Sequence, residues 1–373
     1  MNVLKADETE LRPLPAGWQW VRLGEVCELA YGESLPTHSR VTGEVPVYGS
    51  NGIIGWHSQA VTNGPAVVIG RKGSIGEVHY SPVPCWPIDT TYYVDQPKVE
   101  CDLVWLAFWL RALKLTELNK AAAIPGLNRG DAYALELPLP PVNEQQRIAA
   151  SLGERLTAVE RARSATEAQL EAATALPAGY LREVFDSPES RQWPRRPLGD
   201  IVENFDGKRI PVKLEERHGR KGPYPYYGAS GIIDYVDDYL FDGNYILIAE
   251  DGANLVLRST PVAFTASGKF WVNNHAHVVR PKEGLPMDYL VNFLAITDLK
   301  TYVTGAAQPK LTQADMNRIP VPVPTPSELH RVTAMLNEQV NLAEQVATLL
   351  QDQLDMINKL PAALLRRAFS GEL

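Results

Sequence analysis

Leu137-Pro138-Leu139-Pro140-Pro141-Val142-Asn143-Glu144-Gln145-Gln146-Arg147 is a proline-rich run that passes directly into polar, helix-favouring sequence. A proline inside a helix loses a hydrogen bond and clashes with the preceding turn, so this run closes what comes before it and a helix opens after it. The same join recurs 184 positions later as Val321-Pro322-Val323-Pro324-Thr325-Pro326-Ser327-Glu328-Leu329-His330-Arg331. Leu176-Pro177-Ala178 returns at the same offset as Leu360-Pro361-Ala362. Tyr48-Gly49-Ser50-Asn51-Gly52-Ile53-Ile54-Gly55-Trp56 is echoed 179 positions on by Tyr227-Gly228-Ala229-Ser230-Gly231-Ile232-Ile233-Asp234-Tyr235. The chain is therefore two copies of one unit.

Within each copy the composition changes at the join. Before it lie short β-branched and aromatic runs punctuated by glycine, such as Pro65–Ile69 and Asn244–Ile248, which predict strands in a mixed domain. Trp86 and Trp271 hold corresponding places in later strands and are read as core. After the join, Asn143 and Ser327 are good N-caps, with Gln146 in the capping-box place after Asn143. The second helix has heptad spacing: Leu336, Ala343, Leu350, Ile357 and Leu364 stand seven apart, with Val340, Ala347 and Leu354 filling the alternate seam. The first helix keeps the stripe less cleanly through Leu152, Leu156, Val159 and Leu170, and Arg163 and Thr166 interrupt it. Such a helix, about 60 Å long at 1.5 Å per residue, is too long to pack on its own domain alone. Each seam calls for the other helix, and a return along the first makes the pair antiparallel.

The expected architecture is α+β: two tandem mixed α/β domains, residues 1–142 and 186–326, separated by two long helices, 143–185 and 327–373. The helices form an antiparallel coiled coil and the whole is pseudo-twofold symmetric. A chain of 373 residues has length enough for two cores. Cys27, Cys85 and Cys101 form an odd, scattered set with no Cys-x-x-Cys, so neither a disulfide framework nor a zinc site is expected. His275 and His277 form a His-x-His pair without a third ligand in sequence, and the expectation is no metal. Met1–Glu8 carries acids where a signal peptide needs a basic flank. No segment is apolar for long enough to span a bilayer, and a reducing cytoplasmic setting is expected.

The net charge of −8 discourages a nucleic-acid reading until it is resolved by segment. Residues 190–326 carry 16 basic and 15 acidic groups, whereas both helical segments are acidic. Global charge thus neither supports nor excludes DNA. The search for catalysis returns nothing: Gly70–Gly76 is glycine-rich but not the G-x-x-x-x-G-K-[ST] phosphate loop. No Gly-x-Ser-x-Gly elbow, no Asn/Asp-Pro-Pro-Tyr/Phe tetrapeptide and no paired-carboxylate nuclease motif occurs.

These motifs together resemble the specificity subunits of type I restriction-modification systems, over essentially the full length. The resemblance rests on Trp18-Gln19-Trp20-Val21-Arg22-Leu23-Gly24-Glu25-Val26 and Trp193-Pro194-Arg195-Arg196-Pro197-Leu198-Gly199-Asp200-Ile201, which open the two copies. It rests also on the Tyr-Gly-x-x-Gly-Ile-Ile turn, Gly70-Arg71-Lys72-Gly73-Ser74-Ile75-Gly76, the join into Glu144-Gln145-Gln146-Arg147-Ile148, and the ending Leu365-Arg366-Arg367-Ala368-Phe369-Ser370-Gly371-Glu372-Leu373. It implies that the two domains are target-recognition domains reading the halves of a bipartite, asymmetric site on double-stranded DNA. It implies that the helices dock methyltransferase (M) subunits and that restriction (R) subunits join them. The chain itself would bind no cofactor, with S-adenosylmethionine, ATP and Mg on the partners. Two different readers joined this way suit two different half-sites one or more helical turns apart. The alternatives are an autonomous DNA methyltransferase or nuclease with diverged motifs, and a coiled-coil spacer with two non-DNA binding heads.

Phosphate contacts need Lys or Arg, and base edges need bidentate polar side chains. In the first domain the candidates are His38, Arg40, Asn51, His57, Arg71, Lys72 and Ser74. In the second they are Lys208, Arg209, Lys213, Arg217, His218, Arg220 and Lys221, with Glu215 and Glu216 opposing. One departure separates the copies: Ala249-Glu250-Asp251-Gly252-Ala253-Asn254-Leu255 stands where the first has Gly70–Gly76, so two cations become acids. Gly73 and Gly252 are shared, which points to a backbone requirement.

Overall fold

The computed structural model describes residues 14–113, 115–118, 126–282, 284–305 and 308–373, so the acidic stretch Met1–Glu8 lies outside the described residues. The chain divides into two compact units, Met1–Thr166 with Gln353–Leu373, and Glu167–Asp352. Each unit holds one globular domain, part of one long helix and part of the other.

The two domains follow one plan. The first has a four-stranded antiparallel sheet in the order Ala30–Tyr31, Thr91–Val94, Ala66–Gly70, Val78–Ser81. The second has Val202–Asn204, Ala276–Pro281, Tyr245–Ala249, Ala263–Ala266 in the same order. Strands Ala66–Gly70 and Tyr245–Ala249 are buried at every residue. Such strands must be apolar on both faces, and alternate side chains serve different clusters. Val67 and Ile69 join the core under helix Leu103–Ala112, whereas Ala66 and Val68 join Tyr48 and Cys85. Ile246 and Ile248 lie with residues of helix Met287–Ile296, and Tyr245 and Leu247 with Phe241 and Phe270.

Beside each sheet sits a hairpin, Val45–Gly49 with Gly52–His57 and Tyr224–Gly228 with Gly231–Val236, bulged at equivalent places. Gly52 and Gly231 enter their second strands at φ of +110° and +128°, which a side chain at Cβ would resist. Trp86 and Trp271 pair in parallel with Val47 and Tyr226, at equivalent positions. Their indole N–H groups donate to Glu33 O at 3.0 Å and Ile210 O at 2.6 Å. Trp271 is buried as expected of core, and Trp86 is half-buried. Antiparallel pairs Gln19–Arg22 with Glu136–Leu139, and Arg195–Pro197 with Pro320–Pro322, close each domain just before its helix leaves.

The helices run Val142–Phe185 and Pro326–Phe369, 44 residues each, with Pro177 and Pro361 inside them. Asn143 and Ser327 are thus not caps but first-turn residues, since Val142 and Pro326 already open the helices. Proline suits that first position because its missing N–H would have no partner there. Buried Gln145, not Gln146, ties the turn down: its side chain donates to Pro140 O at 2.9 Å and accepts from Asp102 N at 2.8 Å.

In the first unit Ile148, Ala149 and Leu152 share a core with Ala368 and Phe369, and Arg147 donates to Leu373 O at 2.6 Å. In the second, Leu181 and Phe185 share one with Leu329, Val332 and Leu336. The start of one helix meets the end of the other in both, which makes the pairing antiparallel. Each helix end is plugged by an aromatic: Phe369 meets Trp105 edge-on at 6.1 Å, and the equivalent Phe185 meets Tyr289 at 5.3 Å. Along the second helix Leu336, Ala343 and Ile357 are buried, and Val340, Leu350 and Leu354 half-buried. In the first, Leu152 is buried and Leu156, Val159 and Leu170 half-buried. Thr166 does not interrupt this stripe: it is 3% exposed and stands seven residues from both Val159 and Ala173. Among the described residues no helix is long and apolar enough to cross a membrane.

Candidate nucleic-acid interface

The glycine loop of the first domain leaves the buried strand Ala66–Gly70 and folds back on itself, Gly76 N donating to Gly70 O at 2.8 Å. Gly73 and Gly76 both sit at φ of +77°, and Gly252, the counterpart of Gly73, at +107°. The shared glycine thus answers a backbone demand. A bond from Ser74 N to Ser50 Oγ at 3.3 Å ties the loop to the hairpin turn, so Ser74 and exposed Lys72 and Asn51 are gathered in one region. Arg40 is pinned on the same hairpin, donating to Ile54 O at 2.9 Å, and His38 is exposed on the preceding turn.

His57 does not belong with them. It is 5% exposed, its Nδ1 accepts from Val41 N at 2.9 Å, and its ring meets Trp86 edge-on at 5.1 Å. A ring so enclosed braces the hairpin and has no face left for a groove, which overturns the expectation made for it. Tyr48 is likewise a buried anchor. His79, which the sequence reading missed, packs beside Gly52, and burial holds its pKa below the usual value.

Arg71 turns toward two tyrosines. Its guanidinium lies 5.0 Å from the Tyr31 ring centre and 5.9 Å from that of Tyr92. Arg129, the first residue of helix Arg129–Tyr133, lies 5.1 Å from the same Tyr31 ring. Among the described residues neither arginine has a carboxylate partner. Tyr92 Oη donates to Leu127 O at 3.3 Å, and Leu127 N donates to Arg71 O at 2.9 Å.

The second domain rebuilds this arrangement position by position with other chemistry. Leu311 N donates to Glu250 O at 2.7 Å, as Leu127 does to Arg71. His277 Nε2 meets Leu311 O at 2.8 Å, as Tyr92 meets Leu127. Asp206 lies opposite His277 as Tyr31 lies opposite Tyr92, its Oδ2 at 2.6 Å from Nδ1. Both ring nitrogens of the 1%-exposed His277 face oxygen atoms, so the ring is held from both sides. Arg209 spans the group, donating to Glu250 at 2.6 Å and Ala276 O at 2.6 Å and lying 3.5 Å from Asp206, and Lys310 reaches Glu250 at 3.2 Å. Burial acts to raise both carboxyls, yet the bonds from His277 hold Asp206 below its ordinary value, and those from Arg209 do the same for Glu250.

Asp206, Glu250 and His277 also have a ligand-like arrangement, their polar atoms all within 4.8 Å of one another. The cation they surround is the protein's own: Arg209 and Lys310 fill the role, and His277 spends both nitrogens on other bonds. His275, the other half of the His-x-His pair, bonds Asp251 at 2.8 Å.

The basic stretch of the second domain is largely committed to acids. Arg217 pairs with Asp234 at 3.3 Å and stacks on Tyr226, Arg220 pairs with Asp237 at 3.0 Å over Trp271, and Lys221 pairs with Asp234. Lys208, Lys213 and His218 are exposed, and among the described residues no carboxylate pairs with them. The cluster read from sequence as the richest is therefore mostly self-neutralised.

Two features went unnoticed in the sequence. Both hairpins expose apolar side chains on their edge strands: Ile53, Ile54 and Trp56 in the first, and Ile232, Ile233 and Tyr235 in the second. The repeated Gly-Ile-Ile was the available signal, since an apolar pair next to a turn needs a partner. On the second helix Leu342, Val346 and Leu349 are exposed on the face away from the seam. The thiols offer no nucleophile: burial pushes Cys27 and Cys101 up to about 12.

The family model described as type I restriction modification DNA specificity domain matches residues 15–172 and again residues 190–366. A putative type I restriction enzyme specificity subunit of Haemophilus influenzae is 34% identical over 166 residues, 44% of this chain and 41% of that protein. The match thus spans about two fifths of that relative's length. The EcoDI specificity subunit of a type I restriction enzyme of Escherichia coli is 20% identical over 402 aligned positions, covering 96% of this chain and 89% of that one. A solved chain from work on complex assembly and conformational transition of the type I R-M system superposes with a TM-score of 0.76 at 17% identity, covering 97% of this chain and all of that one.

Proposed function

The chain belongs to the type I restriction-modification DNA specificity family, and on that premise we propose that it chooses the DNA sequence for a complex whose chemistry resides in other subunits. Each domain reads one half of a bipartite, asymmetric site on double-stranded DNA. The observation that carries this reading is the pairing of one shared framework with different tips: the loops and hairpins superpose in plan, while Arg71, Tyr31 and Tyr92 become Glu250, Asp206 and His277. Two readers of the same half-site would not need to differ there.

Methyltransferase subunits dock on the helices, for which the exposed Leu342, Val346 and Leu349 offer an apolar face. Restriction subunits complete the assembly. S-adenosylmethionine, ATP and Mg are held by those partners, and the complex works in the cytoplasm, where the free Cys27, Cys85 and Cys101 stay reduced.

Co-expression with the cognate methyltransferase subunit, followed by mapping of methylated positions on genomic DNA, tests the proposal. The expected map shows two unequal half-sites at a fixed spacing. Methyl transfer by this chain alone, or tight binding of S-adenosylmethionine to it, would instead support an autonomous enzyme. An assembled complex that footprints no DNA sequence would return the heads to a non-DNA role.

A further inference from the structure

Two arginines from separate loops converge on one ring in the first domain. Arg71 comes from the glycine loop and Arg129 from the start of a short helix, and each guanidinium lies about 5 Å from the centre of Tyr31. Both positive charges stand beside one ring, and no carboxylate among the described residues neutralises them. Tyr31 is 50% exposed, so the pair stands at the surface. Arg71 Nε is shielded from solvent and has no hydrogen-bond partner. A buried donor left unpaired gains from any acceptor brought within its reach. Both guanidinium groups are held beside the Tyr31 ring, and a planar fork matches the paired oxygens of a phosphate.

The second domain cancels each part of this device. Glu250 replaces Arg71, Gln313 replaces Arg129, and Asp206 and His277 replace the tyrosines. Its remaining cations, Arg209 and Lys310, are bound to Glu250.

Resting on the DNA-reading role above, we propose that Arg71 and Arg129, aimed by Tyr31, form a cradle for the phosphodiester backbone in the first domain, and that the matching place in the second domain binds no phosphate. The backbone grip is therefore lopsided, and its cradle reads charge and not sequence.

Because phosphate contacts are indifferent to sequence, the probe is a duplex of arbitrary sequence, bound by the chain assembled with its methyltransferase subunit over a range of KCl concentrations. Each phosphate neutralised contributes about 0.9 to the slope of log affinity against log salt. Arg71→Gln and Arg129→Gln are each expected to reduce the slope by about one, the double variant by about two. Lys310→Gln in the second domain is expected to leave it unchanged. Tyr31→Leu, at a half-exposed position, keeps both charges but loses their platform, so affinity is expected to fall about threefold or more with little change of slope.

A double variant that binds with the wild-type slope overturns the cradle, as does a Tyr31→Leu complex of undiminished affinity. A loss of slope in Lys310→Gln equal to that in Arg71→Gln overturns the asymmetry. If the wild-type complex binds no DNA at all, the DNA-reading role itself has failed, an outcome separate from unchanged slopes in variants of a binding complex.

Discussion

Arg71 and Glu250 occupy the same place in two copies of one fold, and their surroundings have been rebuilt to suit each. Around Arg71 the chain offers aromatic faces, which hold a cation at the surface without cancelling its charge. Around Glu250 it offers His277, Arg209 and Lys310, which cancel the charge inside the protein. The backbone hydrogen bonds that frame the two sites are the same. A duplicated scaffold thus fixes where side chains stand while leaving their sign free to diverge.

The contrast is sharpest in stability. Asp206→Ala removes the carboxylate that buried His277, Val278 N and Arg209 share, and breaking such a buried pair costs about 3–5 kcal/mol. Hydrogen exchange should report the loss in strand Ala276–Pro281. Tyr31→Phe at the equivalent place should change stability by under about 0.5 kcal/mol, as an exposed substitution does. Equal losses at both would break the comparison. Phe369→Ala and Phe185→Ala probe what the units share: each empties the same aromatic plug, at about 3 kcal/mol or somewhat more. Denaturant unfolding followed at residues of each unit should show matching losses, Phe369→Ala in the first unit and Phe185→Ala in the second.

Acid separates the units more gently. Asp206 and Glu250 are held below their ordinary values in the folded chain, so the unfolded chain binds more protons as pH falls. Their contribution is full above the ordinary carboxylate range and is lost as pH drops through that range and below it. Exchange protection of the second domain should therefore decline on acidification before that around Tyr31 and Tyr92 does. The smallest effect is expected at the hairpins: Ile54→Thr and Ile233→Thr touch exposed side chains and should each cost about 0.5 kcal/mol or less by thermal unfolding.

What could be read in the sequence was whatever repeats. The proline join, the paired hairpins and the heptads each carry a physical signature that survives duplication, and they yielded the helices, the buried strands and the antiparallel seam. Thr166 was misjudged because a hydroxyl counts as polar in sequence, although the residue is buried in the fold. His57 was misjudged because it ends a strand whose Ile53, Ile54 and Trp56 are exposed, and only the fold shows its own ring turned inward. The basic stretch 208–221 hid its neutralisation because Asp234, Asp237 and Glu250 reach it across the sheet and the hairpin. Arg129 and Tyr31, 98 positions apart, could be joined only by the fold.

The helix pairing has a consequence for synthesis. Glu167–Asp352 is one uninterrupted segment, so the second unit has all its parts once Asp352 has left the ribosome. The first unit has most of its sequence far earlier, yet its core includes Ala368 and Phe369. Domains usually complete in the order they are made. Here the unit that begins first must finish last, keeping the pocket around Trp105 open to water until the final turn of the second helix arrives.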